Sequence, residues 1–171
     1  MIDGVTGDPG SCSQLGGAFR SHAARLAAMR LELVERTDRL RREPAEAATV
    51  TDLDADLRLL DAVVERLDAS GAALQRFAQE LAEIAEAVRR LEDAGRAAGL
   101  ELDGLRVVEP WGVLTTELAQ QRHRAQPGLQ RQADRLASQL GRARTVTARV
   151  MADGTYALAA AATAARTRSL R

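Results

Sequence analysis

Leu53, Leu57, Leu60, Val64, Leu67, Gly71, Leu74, Ala78, Leu81, Ala85 and Val88 recur at alternating intervals of four and three residues. A repeat of 3.5 residues keeps one apolar line on one side of an α-helix, the pattern of helices packed side by side, whereas strands alternate every second residue. The spacing predicts a single helix over about 52–97, roughly 65 Å long at about 1.5 Å per residue. Val63, Phe77, Ile84 and Leu91 widen the line into a stripe suited to more than one neighbour. Gly71 costs about 1 kcal/mol relative to Ala inside a helix. Its place on the seam has two readings: a close crossing or bend, and a tolerated glycine.

A first helix is expected over about 9–42. Asp8 is placed to cap exposed amides, Pro9 suits the first turn, and Ser11 is a second available start. Leu15, Phe19, His22, Leu26, Met29, Leu33 and Leu40 form its seam, with Arg20, Arg25, Arg30, Glu32, Glu35, Arg36 and Arg39 largely off it. The pattern breaks from Arg41 to Val50, where Pro44 disfavours helix at the residue before it and the chain has room to reverse. Thr51 followed by Asp54 reads as a capping-box-like start to the second helix.

Gly95 and Gly99 are stop signals for that helix. Beyond them, Asp103-Gly104 sits between alternating apolar residues in Leu100–Val108, which predicts a two-residue β-hairpin turn. Glu109-Pro110-Trp111-Gly112 closes the segment with the chain's lone Trp. A third helix is expected over about 115–152, kinked or restarted at Gln126-Pro127-Gly128, with a seam of Leu129, Ala133, Leu136, Leu140, Ala143, Thr147 and Val150. Asp153-Gly154 is expected to loosen it before an Ala-rich tail over 153–171. These features imply an all-α fold, an elongated antiparallel bundle of three long helices with a short β-hairpin between the second and third. Residues 1–8 are expected to be a flexible N-terminus and 9–152 the bundle domain.

Composition narrows the function. The 171 residues hold 24 basic and 24 acidic side chains, a net charge of zero that argues against a nucleic-acid binder. Every basic residue is Arg, a usage typical of GC-rich coding and no sign of phosphate recognition by itself. With aromatics at 2%, an Ala, Leu and Val core suits closely packed helices. The N-terminus lacks the basic start and apolar region of a Sec signal peptide, and Tyr156–Ala165 is about half the ~20 residues of a membrane span. No integral membrane segment is expected, and Cys12 is expected to be a free, helix-packed thiol.

Signs of catalysis or metal binding are scarce. His22 and His123 fall on different elements with no liganding spacing around them. His22 reads as a seam residue reaching solvent or a carboxylate, and His123 as a surface residue. Carboxylates occur mainly as helix-surface partners of Arg, as with Glu35 and Arg39. Glycine-rich phosphate loops are missing, and Ser11, Ser13 and Ser70 have no identifiable base. Arg41-Arg42 and Arg89-Arg90 read equally as solvated faces or as basic patches, whereas the Arg166–Arg171 tail reads as a solvated, frayed end in preference to a contact for an acidic partner or membrane surface. The expectation is no enzyme, no catalytic residue, no metal and no cofactor.

Gly7-Asp8-Pro9-Gly10, the heptads from Leu15 to Leu40 and the Ala-rich Leu74–Leu81 segment resemble the WXG/ESX-type helical-hairpin proteins of type VII secretion. They also resemble the helical N-terminal domains of associated polymorphic toxins, and Val107–Gly112 is similar to a hairpin segment of such domains. The likeness is one of pattern and covers about Gly7 to Val150. Strict members carry Trp-x-Gly between their first two helices, whereas here Trp111 and Gly112 are adjacent and lie in a later connection. Tyr156 is followed four positions on by Ala160, not by the Asp or Glu of the family's export signal.

The resemblance implies a non-enzymatic secretion-associated substrate or partner acting by helix-helix interaction. Its partner would be a copy of itself, a related helical protein or a neighbouring toxin, in a homo- or heterodimer, with no nucleic acid involved. The alternative is a cytoplasmic adaptor or chaperone for a toxin or secretion component. Localisation is accordingly cytoplasmic or type VII-secreted. The interaction candidates are Leu26, Leu33, Leu60, Leu67, Leu74, Leu81 and Trp111.

Overall fold

A computed structural model of the chain describes residues 7–41, 47–112 and 115–169. Three long helices, α1 (Pro9–Leu40), α2 (Ala47–Ala97) and α3 (Thr116–Ser169), make the fold all-α. A two-stranded hairpin, β1 (Glu101–Asp103) and β2 (Arg106–Val108), lies between α2 and α3 in the sequence. Pro44, Arg42 and the rest of the 42–46 connection fall outside the described residues, as do 1–6, 170–171 and the side chains of Leu40 and Thr51. The helices run through two compact units: Met1–Cys12 with Arg76–Val146, and Ser13–Gln75 with Thr147–Arg171.

α1 begins where the sequence places it. The Asp8 carboxylate accepts hydrogen bonds from the backbone amides of Gly10 (3.1 Å) and Ser11 (2.8 Å) and from the Ser11 hydroxyl (2.6 Å). Satisfying these otherwise unpaired amides is the work of an N-cap, and Pro9 lacks an N–H that would need a partner. The Ser11 hydroxyl and the Ser11 and Gly10 amides hold the Asp8 carboxyl below its ordinary value. α2 starts four residues before Thr51, so Thr51 lies within the first turns of the helix and not at its cap.

In the first unit the core is built from aliphatic side chains. One cluster joins Leu91, Ala98, Leu100, Val107, Leu129 and Ala133, and another joins Leu81, Ile84, Val88 and Leu140, with Cys12, Phe77 and Leu105 packed against it. These are the seams read from the second and third helices, meeting antiparallel as Leu81 approaches Leu140 and Leu91 approaches Leu129. α2 ends in a Schellman motif: Leu100 N–H donates to the Gly95 carbonyl (2.8 Å) and Gly99 N–H to that of Arg96 (3.0 Å). Gly99 takes the left-handed conformation this requires, at φ +72°. Gly95 is not a stop. It lies inside α2, where an added Cβ would stand 3.2 Å from Leu102 Cδ1, so its missing side chain lets the hairpin lie against the helix.

The hairpin turn is displaced by one residue from the Asp103-Gly104 expectation. Asp103 pairs with Arg106, leaving Gly104 and Leu105 as the two central residues, with Gly104 at φ +60°. A glycine first and a residue of negative φ second match the II′ hairpin turn, whereas Asp-Gly at the centre is the I′ preference. Leu105 accounts for the shift, because this register packs it against the Leu81 cluster. Val107 N–H, on the outer edge of the pair, donates to Gln130 Oε1 on α3 at 2.9 Å and so fastens the hairpin to that helix.

α3 runs unbroken through Pro127, where a kink or restart is expected. Proline removes one helical hydrogen bond, from its own nitrogen to the His123 carbonyl, and both residues are exposed, where the loss costs less than it would in a buried stretch of helix.

The second unit is packed through small residues. An added Cβ at Gly16 would lie 2.8 Å from the Gly71 carbonyl oxygen, and one at Gly71 would lie 2.7 Å from the Gly16 oxygen, so α1 and α2 touch backbone to backbone. This close crossing is the reason for a glycine on the α2 seam. On the other side of α2, an added Cβ at Gly154 would stand 2.6 Å from Ser70 Oγ. Gly154 therefore does not loosen α3 as expected; it lets a continuous helix approach α2. Arg20 with Asp68 (3.1 Å), Arg30 with Asp61, Arg41 with Asp54 (2.6 Å) and Arg168 with Asp56 (3.3 Å) tie the antiparallel helices along their rims.

The Gly16 crossing also decides which face α1 buries. Gly16, Ala23 and Thr37 are buried and Arg30 is half-buried, a line of seven-residue spacing. Leu15 (48% exposed), His22 and Met29 (56% exposed), expected in the seam, lie outside it, while Phe19, Leu26 and Leu33 sit at its edge, half-buried.

Candidate interaction surface

The interaction candidates separate by burial. Leu74 and Leu81 are 8% and 0% exposed, so both are spent inside their own units. Leu26 and Leu33 on α1, and Leu60 and Leu67 on α2, are half-buried. Trp111 is fully exposed, a large apolar side chain with no cover.

A surface the leucine spacing hides comes from the half of the α1 seam that packing leaves over. Leu15, His22 and Met29 fall at intervals of seven, hence on one line, and are all exposed. The half-buried Leu26 and Leu33 flank that line, making an apolar strip along α1 in the second unit. Along the other side of the same helix, Gly17, Arg20, Ala24, Ala27, Val64 and Asp68 line an open groove of ≈ 510 Å³. Leu31, Val146 and Tyr156 are exposed singly, which is ordinary for a surface.

Among the described residues, the buried polar ones are Thr37, whose hydroxyl donates to the Leu33 carbonyl (2.8 Å), Ser70 at the Gly154 crossing, and Arg122. Arg122 sits where α3 meets the end of α2 and the segment after the hairpin. Its Nη1 donates to the Pro110 carbonyl at 3.3 Å, and its buried Nε has no hydrogen-bond partner among the described residues. Beside it, Gln121 Nε2 donates to the Ala97 carbonyl at 3.3 Å, capping the end of α2. Arg41 is held above its ordinary value chiefly by its hydrogen bond and charge pairing with Asp54, and secondarily by Asp38.

His22 and His123 are both exposed. Among the described residues no group of three or more His, Cys, Asp or Glu side chains is placed to hold a metal ion. Cys12 is a half-buried free thiol against the Leu81 cluster. No helix among the described residues is long and apolar enough to cross a membrane. Of the arginines near the C-terminus, Arg168 meets Asp56 within the second unit.

No family model, curated protein or solved structure matches this chain.

Proposed function

We propose that this chain is a non-enzymatic helical protein of the WXG/ESX type, a type VII secretion-associated substrate or partner acting by helix-helix protein interaction. The observation that carries the reading is the exposed strip Leu15, His22 and Met29, flanked by Leu26 and Leu33. A helix that buries small residues inward and turns large apolar ones outward has kept a second face for a neighbour. The partner that fits is another helix, whose own apolar side chains would cover Leu15 and Met29 and seat against Leu26 and Leu33. Trp111 is a second anchor, since exposed aromatic side chains contribute strongly when a partner desolvates them.

The test is light scattering of the purified chain, alone and with the products of adjacent genes, for wild type and for Leu15→Glu/Met29→Glu. The expected result is an assembly that the double variant disrupts while its far-ultraviolet circular dichroism is unchanged. A wild-type monomer that binds no neighbour overturns the proposal, as does an assembly indifferent to both substitutions.

A cytoplasmic adaptor or chaperone holding a toxin or secretion component is the second reading. Ala160, four residues after Tyr156 where the family's export signal carries Asp or Glu, favours it. Appearance of the protein in culture supernatant only when the secretion machinery is intact excludes it.

A further inference from the structure

The overall neutrality of the chain conceals a separation of charge between its helices. α2 carries eleven carboxylates against six arginines, and α3 nine arginines against three carboxylates. In the second unit the surplus acid of α2 is consumed internally: Asp54, Asp56, Asp61 and Asp68 each pair with an arginine of α1, α3 or the residue after α1. In the first unit α3 has no such counterpart. Arg124, Arg131, Arg135 and Arg142 are all exposed, and among the described residues none makes an ion pair or hydrogen bond.

Their spacing of seven, four and seven puts the four guanidinium groups within about 40° of one another around the helix, at about 100° per residue. That line is about 27 Å long, and it lies roughly opposite the buried Leu129, Ala133, Leu140 and Ala143. Folding does not ask for it. Arg131 and Arg135 are one turn apart and repel, which works against the helix. Because every basic residue of this chain is Arg, the choice of Arg over Lys carries no information; the alignment and the missing partners do.

We propose that this face of α3 docks an acidic helix, one that presents Glu or Asp at the same intervals of seven, four and seven. The inference rests on the reading of the chain as a helix-binding protein and names the chemistry of one partner. Arginine forks reach carboxylates in pairs of parallel hydrogen bonds, and residues at these intervals line one side of any α-helix laid along the stripe. Three other observations favour a helix over other anions. Four isolated charges on a neutral chain give little long-range attraction toward a phosphate polymer, whose affinity grows with the number of phosphates neutralised. The stripe carries no aromatic side chain for stacking on bases. Between Arg124 and Arg142 the face holds Pro127, Gly128, Ser138 and Gln139 but no large apolar side chain to enter a lipid surface.

The probes are a labelled helical peptide with glutamates at the matched spacing, the same composition with the glutamates distributed around the helix, a matched peptide with Lys in place of Glu, and a short DNA duplex. Fluorescence anisotropy with the full chain at low salt is expected to show the matched peptide binding at least about tenfold more tightly than the scrambled one, a difference of about 1.4 kcal/mol. The Lys peptide is expected not to bind. Arg124→Gln/Arg131→Gln/Arg135→Gln/Arg142→Gln should abolish the preference, whereas Arg96→Gln, which removes an arginine paired with Asp93, should leave it intact. Equal binding of matched and scrambled peptides, binding of the Lys peptide, tighter binding of DNA, or an undiminished quadruple variant each overturns the proposal. Because wild-type discrimination among peptides is itself a readout, the result does not depend on the variant folding. Light scattering of the Leu15→Glu/Met29→Glu variant tests the α1 strip separately, so the two readings fail independently.

Discussion

Replacing Gly71 with Ala sets two effects of known sign against each other. Ala is a better helix former than Gly by about 1 kcal/mol, so on an open helix face the change stabilises. At Gly71 the new Cβ would stand 2.6 Å from Arg20 Cγ, 2.7 Å from the Gly16 carbonyl oxygen and 3.2 Å from the Arg20 amide nitrogen. Arg20 Cγ belongs to a side chain held at its far end by Asp68 and Gln75, and the other two atoms are backbone. Relief therefore requires the helices themselves to part, from 2.7 Å toward the 3.4 Å of an ordinary contact. A gap of that order forfeits a quarter to a half of the dispersion energy of the atoms it separates, and overpacking of a tight site costs about 1–3 kcal/mol. With two contacts under 3.0 Å, the upper part of that range applies, and the net expectation is a loss of about 1–2 kcal/mol.

Gly17 supplies the control. Its added Cβ would meet only Gln75 Nε2, at 4.0 Å, so Gly17→Ala should keep the helix-propensity gain of about 1 kcal/mol. Urea unfolding followed by circular dichroism measures both, and Gly16→Ala/Gly71→Ala should cost less than the sum of its single changes, because one separation of the helices relieves both. Gly71→Ala as stable as wild type, or Gly17→Ala and Gly71→Ala shifting in the same direction, would refute the backbone crossing.

Arg122→Ala should cost about 1–3 kcal/mol in urea unfolding, since it leaves the Pro110 carbonyl without its donor and empties a buried site. Gly104→Ala should weaken the hairpin, because φ +60° is unfavourable for Ala, and faster hydrogen exchange at the strand amides would reveal it; unchanged exchange speaks against the turn assignment. The Asp8 carboxyl is held below its ordinary value in the folded chain, so its cap contributes above the unfolded aspartate range and is lost as pH falls through the lower folded value. Protection of the Ser11 amide should decline over that acidic window, and Asp8→Asn should remove the dependence. Fluorescence of Trp111, the sole tryptophan, should be quenched by acrylamide nearly as efficiently as the free indole.

The second and third helices were readable because their seams are made of Leu, Val and Ala at strict spacing, and those residues form the clusters around Leu81 and Leu100. α1 misleads for a physical reason. Its large apolar residues mark one face, but the residues it buries include Gly16 and Ala23, whose value lies in their lack of bulk and which hydrophobic spacing does not register. The same logic overrides punctuation: Gly154 reads as a break and serves as a close contact with Ser70. At the hairpin, burial of Leu105 outweighs the turn preference of Asp103-Gly104. As for the candidate surfaces, the spacing of Leu15 and Met29 was visible, but their exposure depends on which way the Gly16 crossing turns the helix. The α3 arginines were lost in a whole-chain sum of zero.

The adjacency of Ser70 and Gly71 on α2 has a consequence for specificity. One meets α3 at Gly154 and the other meets α1 at Gly16, so a single level of the second unit admits only side chains of almost no volume. Sliding α1 by one turn would bring Cys12 or Arg20 opposite Gly71, and neither fits a space that already excludes a methyl group. The alignment of these helices is therefore keyed by excluded volume, which salt and pH do not screen, while the arginine-aspartate pairs at the rim are free to exchange without the register slipping.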